Sequence, residues 1–344
     1  MNLLFTSSGG MHAQKLFYLI KKKTFYKNIK IHAVNSNFLF PKNKKVFHDS
    51  FTKISKPKNK NFLADIKKII KKKNINILFP GSDEEAIKLG HNKKRLNTFI
   101  SCPEKEKLIL IQNKFNTLEK LKKEKLLNIN FKKISTINEL KKKIKNYEVR
   151  KKDFVIKPIF SRGGRDVILV KYSQKKNILY FNNKRELQIK RNFFYKNKNK
   201  FLFKYKKKFP LLFMERMFEP NLDVDILSWK GKLIKYVIRK RIGFQASKGS
   251  VVLKKNKKIE NFLKKISKLF NLTGIYDCDF MFSKKKTPIL IELNPRISGS
   301  LYASISAGAN LVDDLISLKL KKPYLIKNFI PKNKKIVYSK NIIS

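Results

Sequence analysis

Two cysteines and four histidines in 344 residues leave little material for a disulfide framework or a zinc site. Cys102 and Cys278 have no paired spacing and no histidine cluster beside them, so both read as reduced core residues of a cytosolic protein. Arginine is scarce as well, with ten residues against 72 lysines. Acidic residues number 24 against 82 basic ones, a formal net charge of +58 that invites a nucleic-acid reading. Yet arginine is the better bidentate reader of phosphate and base edges. The lysines are instead spread along the chain among Asn, Ile and Phe, a drift of the kind an AT-rich genome produces. Such a surface attracts polyanions without sequence preference and releases them as salt rises. No specific nucleic-acid partner is expected. No stretch reaches the roughly 18 apolar residues of a membrane span. The opening MNLLFTSSGG has no basic n-region. A cytoplasmic chain with no membrane partner is expected.

What is present is a large apolar fraction, 42%, in a chain long enough for two or three compact units. The first hundred residues alternate strand and helix. Strands are expected at Leu3–Phe5, Ile29–Val34 and Ile75–Phe79, with helices at His12–Lys22 and Asn61–Lys71. A further helix starts at Ser82 or Asp83 and runs to about Leu89. That alternation implies a parallel sheet covered on both faces. Ligands of such sheets sit beyond the strand C-termini, where Gly9-Gly10 and Pro80–Glu85 fall.

From about Pro103 the pattern changes to helices at Asn113–Lys125 and Ile137–Ile144, then a strand ending in Lys157-Pro158, a loop and a strand Val167–Val170. Residues 171–209 show no clear period and read as helix and loop. Strands follow at Leu211–Met214, Asp223–Trp229 and Leu233–Arg239, then a helix Ile259–Phe270. A hairpin of Ile275–Phe282 with Ile289–Leu293 precedes a closing helix Ser304–Leu318.

Two segments carry chemistry. The loop Phe160–Arg165 contains Gly163 and Gly164, and a Gly-Gly hairpin can lay backbone N–H groups against phosphate, with Lys157 just before it on the strand. In Ile289–Leu293, alternation puts residues 290, 292 and 294 on one side of the strand, so Glu292 and Asn294 share a face. Asp279 on the partner strand can face them. Two carboxylates and an amide oxygen are hard ligands that suit Mg²⁺, with ATP phosphates completing the shell. Arg296 lies just past them, placed for an anionic substrate.

These residues bring a family into view. IELNPRISGS, preceded by GIYDCDFMF, closely resembles the C-terminal signature of ATP-grasp enzymes, and the resemblance runs in order through residues 110–310. It implies an α/β chain, α+β in its nucleotide lobes. A pre-ATP-grasp, Rossmann-like domain over 1–103 would precede a two-lobed ATP-grasp domain, with a small lobe at 104–175 and a large, Mg²⁺-carrying lobe at 176–344. The resemblance further implies Lys114, Lys157, Gly163, Gly164, Glu215 and the Met217 backbone as nucleotide contacts. Asp279, Glu292 and Asn294 would be the metal ligands, with Mn²⁺ as a substitute for Mg²⁺, and Arg296 and Lys157 the catalytic cations. Where relatives carry a ribose-binding Glu, this chain has Asn221. Arg239 and Arg241 either complete the anionic-substrate pocket, together with Arg296, or are simply exposed strand residues.

The activity implied is ATP-dependent activation of a carboxylate as an acyl-phosphate for attack by an amine. A carbamoyl-phosphate- or carboxylase-like activity is the alternative, and a basic nucleic-acid-binding protein a distant third. The chain shows neither a biotin-acceptor motif nor a glutaminase segment. Small-molecule carboxylate and amine substrates are the expected partners, and a homodimer is compatible with the pattern.

Overall fold

The computed structural model describes residues 1–37, 45–161, 164–173, 175–181, 186–242 and 249–337. The first unit runs β1 (Asn2–Phe5), α1 (Met11–Lys23), β2 (Lys30–Asn35), β3 (Ser50–Lys53), α2 (Phe62–Lys72), β4 (Ile77–Phe79), α3 (Asp83–His91) and β5 (Phe99–Ile100). The strands pair in parallel in the order β3-β2-β1-β4-β5. Side chains on successive strand residues point to opposite faces. Leu3 and Phe5 accordingly pack with Leu16, Phe17 and Ile20 of α1. Leu4 packs with Phe62 and Ile66 of α2 and Leu89 of α3 on the other side. At α3, Ser82 caps the helix by accepting from the Glu85 N–H, and Asp83, Glu84 and Glu85 place negative charge in the first turn.

Two helices lead out of this unit, α4 (Lys105–Gln112) and α5 (Lys114–Lys123). They are separate because the Asn113 side chain accepts from the Asn116 N–H and starts α5 afresh. The second unit follows with β6 (Phe131–Ile134), α6 (Ile137–Val149), β7 (Phe154–Pro158), β8 (Val167–Lys171), β9 (Ile178–Phe181) and β10 (Glu186–Lys190). It ends with α7 (Arg191–Lys196), α8 (Lys198–Phe203) and β11 (Leu211–Glu215). Its sheet has the order β6-β11-β7-β8-β10-β9. Helices α6, α7 and α8 close one face through Leu140, Ile144, Phe194 and Phe201 against Phe154, Ile156 and Phe213.

The third unit comprises β12 (Phe218–Trp229), β13 (Lys232–Arg241), β14 (Gly249–Val252), α9 (Lys257–Leu269), β15 (Gly274–Phe282) and β16 (Pro288–Asn294). It continues with α10 (Leu301–Ser306), α11 (Leu311–Lys319) and β17 (Lys334–Val337). Its antiparallel sheet has the order β16-β15-β12-β13-β14-β17. Ile259, Phe262, Leu263 and Ile266 of α9 cover one face, on Val224, Ile226, Ile238, Cys278 and Phe280. Helices α10 and α11 turn the other way and share a core with the first unit, joining Leu301, Ile305, Leu311 and Leu315 to Leu3, Phe5 and Phe17.

Several local expectations change. Strands β9, β10 and β11 belong to the second sheet, so that sheet extends to Glu215, past the lobe boundary drawn at 175. Residues 171–209 hold two strands and two short helices where only helix and loop were expected, because β10 lies parallel to β8, a long-range pairing with no local signature. The expected closing helix is two: Gly308 takes a left-handed φ of +106°, and Asn310 caps a new helix by accepting from Asp313 N–H. Among the described residues no helix is long and apolar enough to cross a membrane.

Candidate functional site

The face of the third sheet turned away from α9 is charged. Strand register sets Arg239, Asp223, Asp279 and Glu292 in one row across β13, β12, β15 and β16, and Asp225, Asp277 and Asn294 in the next. The sequence writes this as D-x-D on both β12 and β15, acids at period two with apolar residues of the opposite face between them. Asp279 and Glu292 are directly opposite, as the hairpin reading required. The alternation itself does not hold over all of β16. A register shift between Asp279 and Phe280 sets Leu290 opposite Phe280, so Leu290 joins Leu293 in the apolar core rather than Glu292 on the charged face.

Buried acids are costly unless paired. Arg239 is fully buried and forked onto Asp225, with Nε to Oδ2 at 3.0 Å and Nη2 to Oδ1 at 2.9 Å. It also donates to Ser300 and Ser298 at 2.7 and 3.2 Å. The reading of Arg239 as an exposed strand residue is therefore corrected: it is fully buried, and protein groups occupy its fork. Replacing it with Met should strand Asp225 in a dry interior and cost about 3–5 kcal/mol in a denaturant titration.

Arg241 is about one-quarter exposed. It binds Asp223 through Nε at 2.8 Å and Asp279 through Nη2 at 2.7 Å. Burial would raise the Asp223 carboxyl, but Arg241 and Arg239 outweigh it and hold it low. Asp279 goes the other way: burial pushes it well above the usual range despite Arg241, and Asp277, Asp223 and Glu292 push in the same direction. Asp277 is driven up to about 6, chiefly by burial, against the pull of Arg296. A cation would relieve this crowding of negative charge.

The cationic side is assembled from other elements. Lys114, the first residue of α5, is buried; its Nζ lies 3.0 Å from Glu292 Oε1 and donates to the Ser161 carbonyl. Lys157 on β7 is 5% exposed. Burial, and then the nearby Lys114, lower it from 10.5 to about 8, while Glu292, Asp279 and Glu186 oppose the shift. Arg296 donates from Nε to Asp83 and from Nη1 to Asp277, both at 3.1 Å. Asp83 belongs to α3, so the first unit reaches directly into the site.

The structure thus brings together Lys114, Lys157, Arg241, Asp279, Glu292, Asn294 and Arg296. Gly164, with φ of +69°, sits in the turn before β8, and Gly163 lies outside the described residues. Met217 is buried. The Asn221 side-chain oxygen is buried with no hydrogen-bond donor, an acceptor that a ribose hydroxyl would satisfy. Glu215 stands apart. Register pairs it with Phe154, on the face opposite Lys157, and its carboxylate accepts from the Asn130 N–H at 2.8 Å. The Glu215 side chain is thus held by the backbone at Asn130, away from the Lys157 face.

The donor set fits a magnesium–nucleotide better than a free metal. Among the described residues no group of three or more His, Cys, Asp or Glu side chains is arranged to hold a metal. Two carboxylates and an amide suit a cation that arrives with its own phosphate oxygens. Sequence reasoning missed Asp277, Asp223 and Asp225, for which the two D-x-D strands were the available signal, and gave Asp83 only as part of the Pro80–Glu85 loop.

Residues 207–341 match a family model described as ATP-grasp in the biosynthetic pathway with Ter operon. No curated protein sequence matches the chain. Among solved structures, N5-carboxyaminoimidazole synthetase from Staphylococcus aureus superposes with a TM-score of 0.61 at 12% identity, over 98% of this chain and 80% of that one. The L-amino acid ligase of Bacillus licheniformis gives 0.63 at 14%, over 93% and 74%. The biotin carboxylase domain of Hydrogenobacter thermophilus 2-oxoglutarate carboxylase, in complex with MgADP and bicarbonate, gives 0.65 at 13%, over 97% and 73%.

Proposed function

We propose that this chain, ATP-grasp in fold, binds ATP with Mg²⁺ between its second and third sheets and phosphorylates a small carboxylate for attack by an amine. The observation that carries the reading is the register-paired Asp279 and Glu292, with Asn294 beside them, ringed by Lys114, Lys157, Arg241 and Arg296. Asp279, Glu292 and the Asn294 amide oxygen would hold Mg²⁺, which when bound would supply neutralisation of phosphate charge.

The remaining work belongs to the chain's own cations. Lys157, buried and short of counter-charge, gains most from a phosphate oxygen. Lys114, ion-paired with Glu292, would exchange that partner for a phosphate oxygen. Arg296, held by Asp83 and Asp277, presents a fixed positive group beside the ligands, where an acidic substrate meets the γ-phosphate. The γ-phosphoryl group passes to a carboxylate oxygen, giving ADP and an acyl-phosphate. The amine nitrogen then bonds to the acyl carbon, phosphate departs with the C–O electron pair, and the nitrogen loses a proton.

A thermal-shift series tests the first half. Mg²⁺–ATP at about 100 times its Kd should stabilise the protein by about 2.7 kcal/mol. Equal stabilisation by inorganic polyphosphate would reduce the effect to attraction of anions to a +58 chain. ADP release against pools of amino acids, hydroxy acids and bicarbonate, each with and without amines, tests the second half. Release that depends on bicarbonate alone would overturn the amine-ligase reading.

A further inference from the structure

We infer that Asp277 is a positioning residue for the metal site. It fixes which end of the Asn294 amide faces the cation and anchors Arg296 beside it. The inference rests on the magnesium–nucleotide reading above and adds a residue to it. Asp277 sits opposite Asn294 across the β15–β16 pair, and one of its oxygens, Oδ2, accepts from Asn294 Nδ2 at 3.1 Å and from Arg296 Nη1 at 3.1 Å.

An ionised carboxylate only accepts, so the amide atom turned toward Asp277 must be the nitrogen. The amide oxygen is then the end left for a cation. Rotated by 180°, the same amide would present N–H groups to Mg²⁺, which is repulsive. Asn294 is 4% exposed, so water offers no substitute partner to hold it. The second Asp277 oxygen, Oδ1, is buried with no donor, leaving an acceptor for a water of the hydrated metal, since Mg²⁺ usually keeps several.

Through Arg296 the same carboxylate is linked to Asp83 on α3. Asp277 therefore sets the orientation of one metal ligand and one catalytic cation at once, while contacting the reacting groups only through them. This is the kind of outer partner whose loss weakens a metal site without removing any ligand.

The experiment follows Mn²⁺ by electron paramagnetic resonance as it is titrated into protein saturated with ADP. Metal-free ADP affinity and melting temperature are measured alongside. Asp277→Ala should weaken Mn²⁺ binding roughly 10- to 100-fold and leave metal-free ADP affinity unchanged. Asp277→Asn keeps an oxygen able to accept from both donors and should bind Mn²⁺ within about threefold of wild type. If D277A does not fold, Asp277→Ser, too short to reach both donors, takes its place. Wild-type Mn²⁺ affinity in D277A, or equal weakness of D277N and D277A, overturns the positioning role; the latter would mean that charge alone matters. A wild-type protein that binds ADP with no response to Mn²⁺ would instead sink the metal-site reading, and the positioning role with it.

Discussion

Glu292→Gln should abolish turnover and leave the fold in place. The substitution keeps volume and a side-chain oxygen able to accept from Lys114, 3.0 Å away, but removes one of the two charges that face each other across β15 and β16. Glu292 is about one-fifth exposed, so the folded state tolerates the neutral amide. On the proposed function the transferring phosphoryl group would not, because a metal held by Glu292 would lose a ligand charge. Removing a single preorganised electrostatic group typically costs about 10²–10³ in kcat, and a loss at or beyond the upper end is expected here. ADP release and a melting curve on the same preparation decide it. Turnover within tenfold of wild type would remove Glu292 from the metal site.

The second large effect has opposite signs in stability and in activity. Lys157 is buried, with its pKa lowered from 10.5 to about 8, so the unliganded fold bears a desolvated ammonium at neutral pH. Between about pH 8 and 10.5 the unfolded chain binds a proton that the folded chain has released. Stability contributed by this group therefore rises with pH through that window, and the penalty is complete below it. A shift of that size corresponds to about 3 kcal/mol. Lys157→Met keeps the alkyl stem and discards the charge. The variant should be more stable than wild type near pH 7 by about 1–3 kcal/mol, and the gap should close as the pH approaches 10.5. ATP turnover should vanish in the same protein. Denaturant midpoints measured at pH 7 and pH 10 check the claim. A K157M protein less stable than wild type at pH 7 would show that Lys157 is already compensated in the fold.

Much of this site was legible in residue order. The run from Ile289 to Arg296 announces a strand carrying Glu292 and Asn294, and Asp279 lies on the strand paired with it. The parallel sheet followed from strand–helix alternation in the first hundred residues, and a helix start at Ser82 or Asp83 from their chemistry, of which Ser82 is the cap. Arg239 shows where local reading stops. A cation on a strand beside a candidate site looks the same whether its partner is a ligand or Asp225, and only the fold reveals that both ends of the fork are taken. The residue at 290 failed for a related reason: a register shift depends on the partner strand, and period-two counting cannot see it. Glu215 was placed by position in a motif, yet its strand face is set by pairing with Phe154. The scarcity of arginine was informative in hindsight. Three of the ten, Arg239, Arg241 and Arg296, stand in this one network, where a planar fork bridging two acceptors does what lysine cannot.

The apolar core that joins α1 to α10 and α11 bears on the chain's ancestry. Leu227, Ile275, Ile297 and Leu301 of the last unit are packed with Leu3, Phe5 and Phe17 of the first. A gene rearrangement that exchanged the first hundred residues for a foreign segment would leave those surfaces bare, and it would also take Asp83 away from Arg296. The second unit closes one face with α6, α7 and α8 in a core of its own, while Ile159, Leu212 and Met214 on its other face pack with the third unit. Insertion and trimming should accumulate on the α6–α8 side of that middle segment, away from Lys157, while the two ends of the polypeptide descend together as one heritable piece.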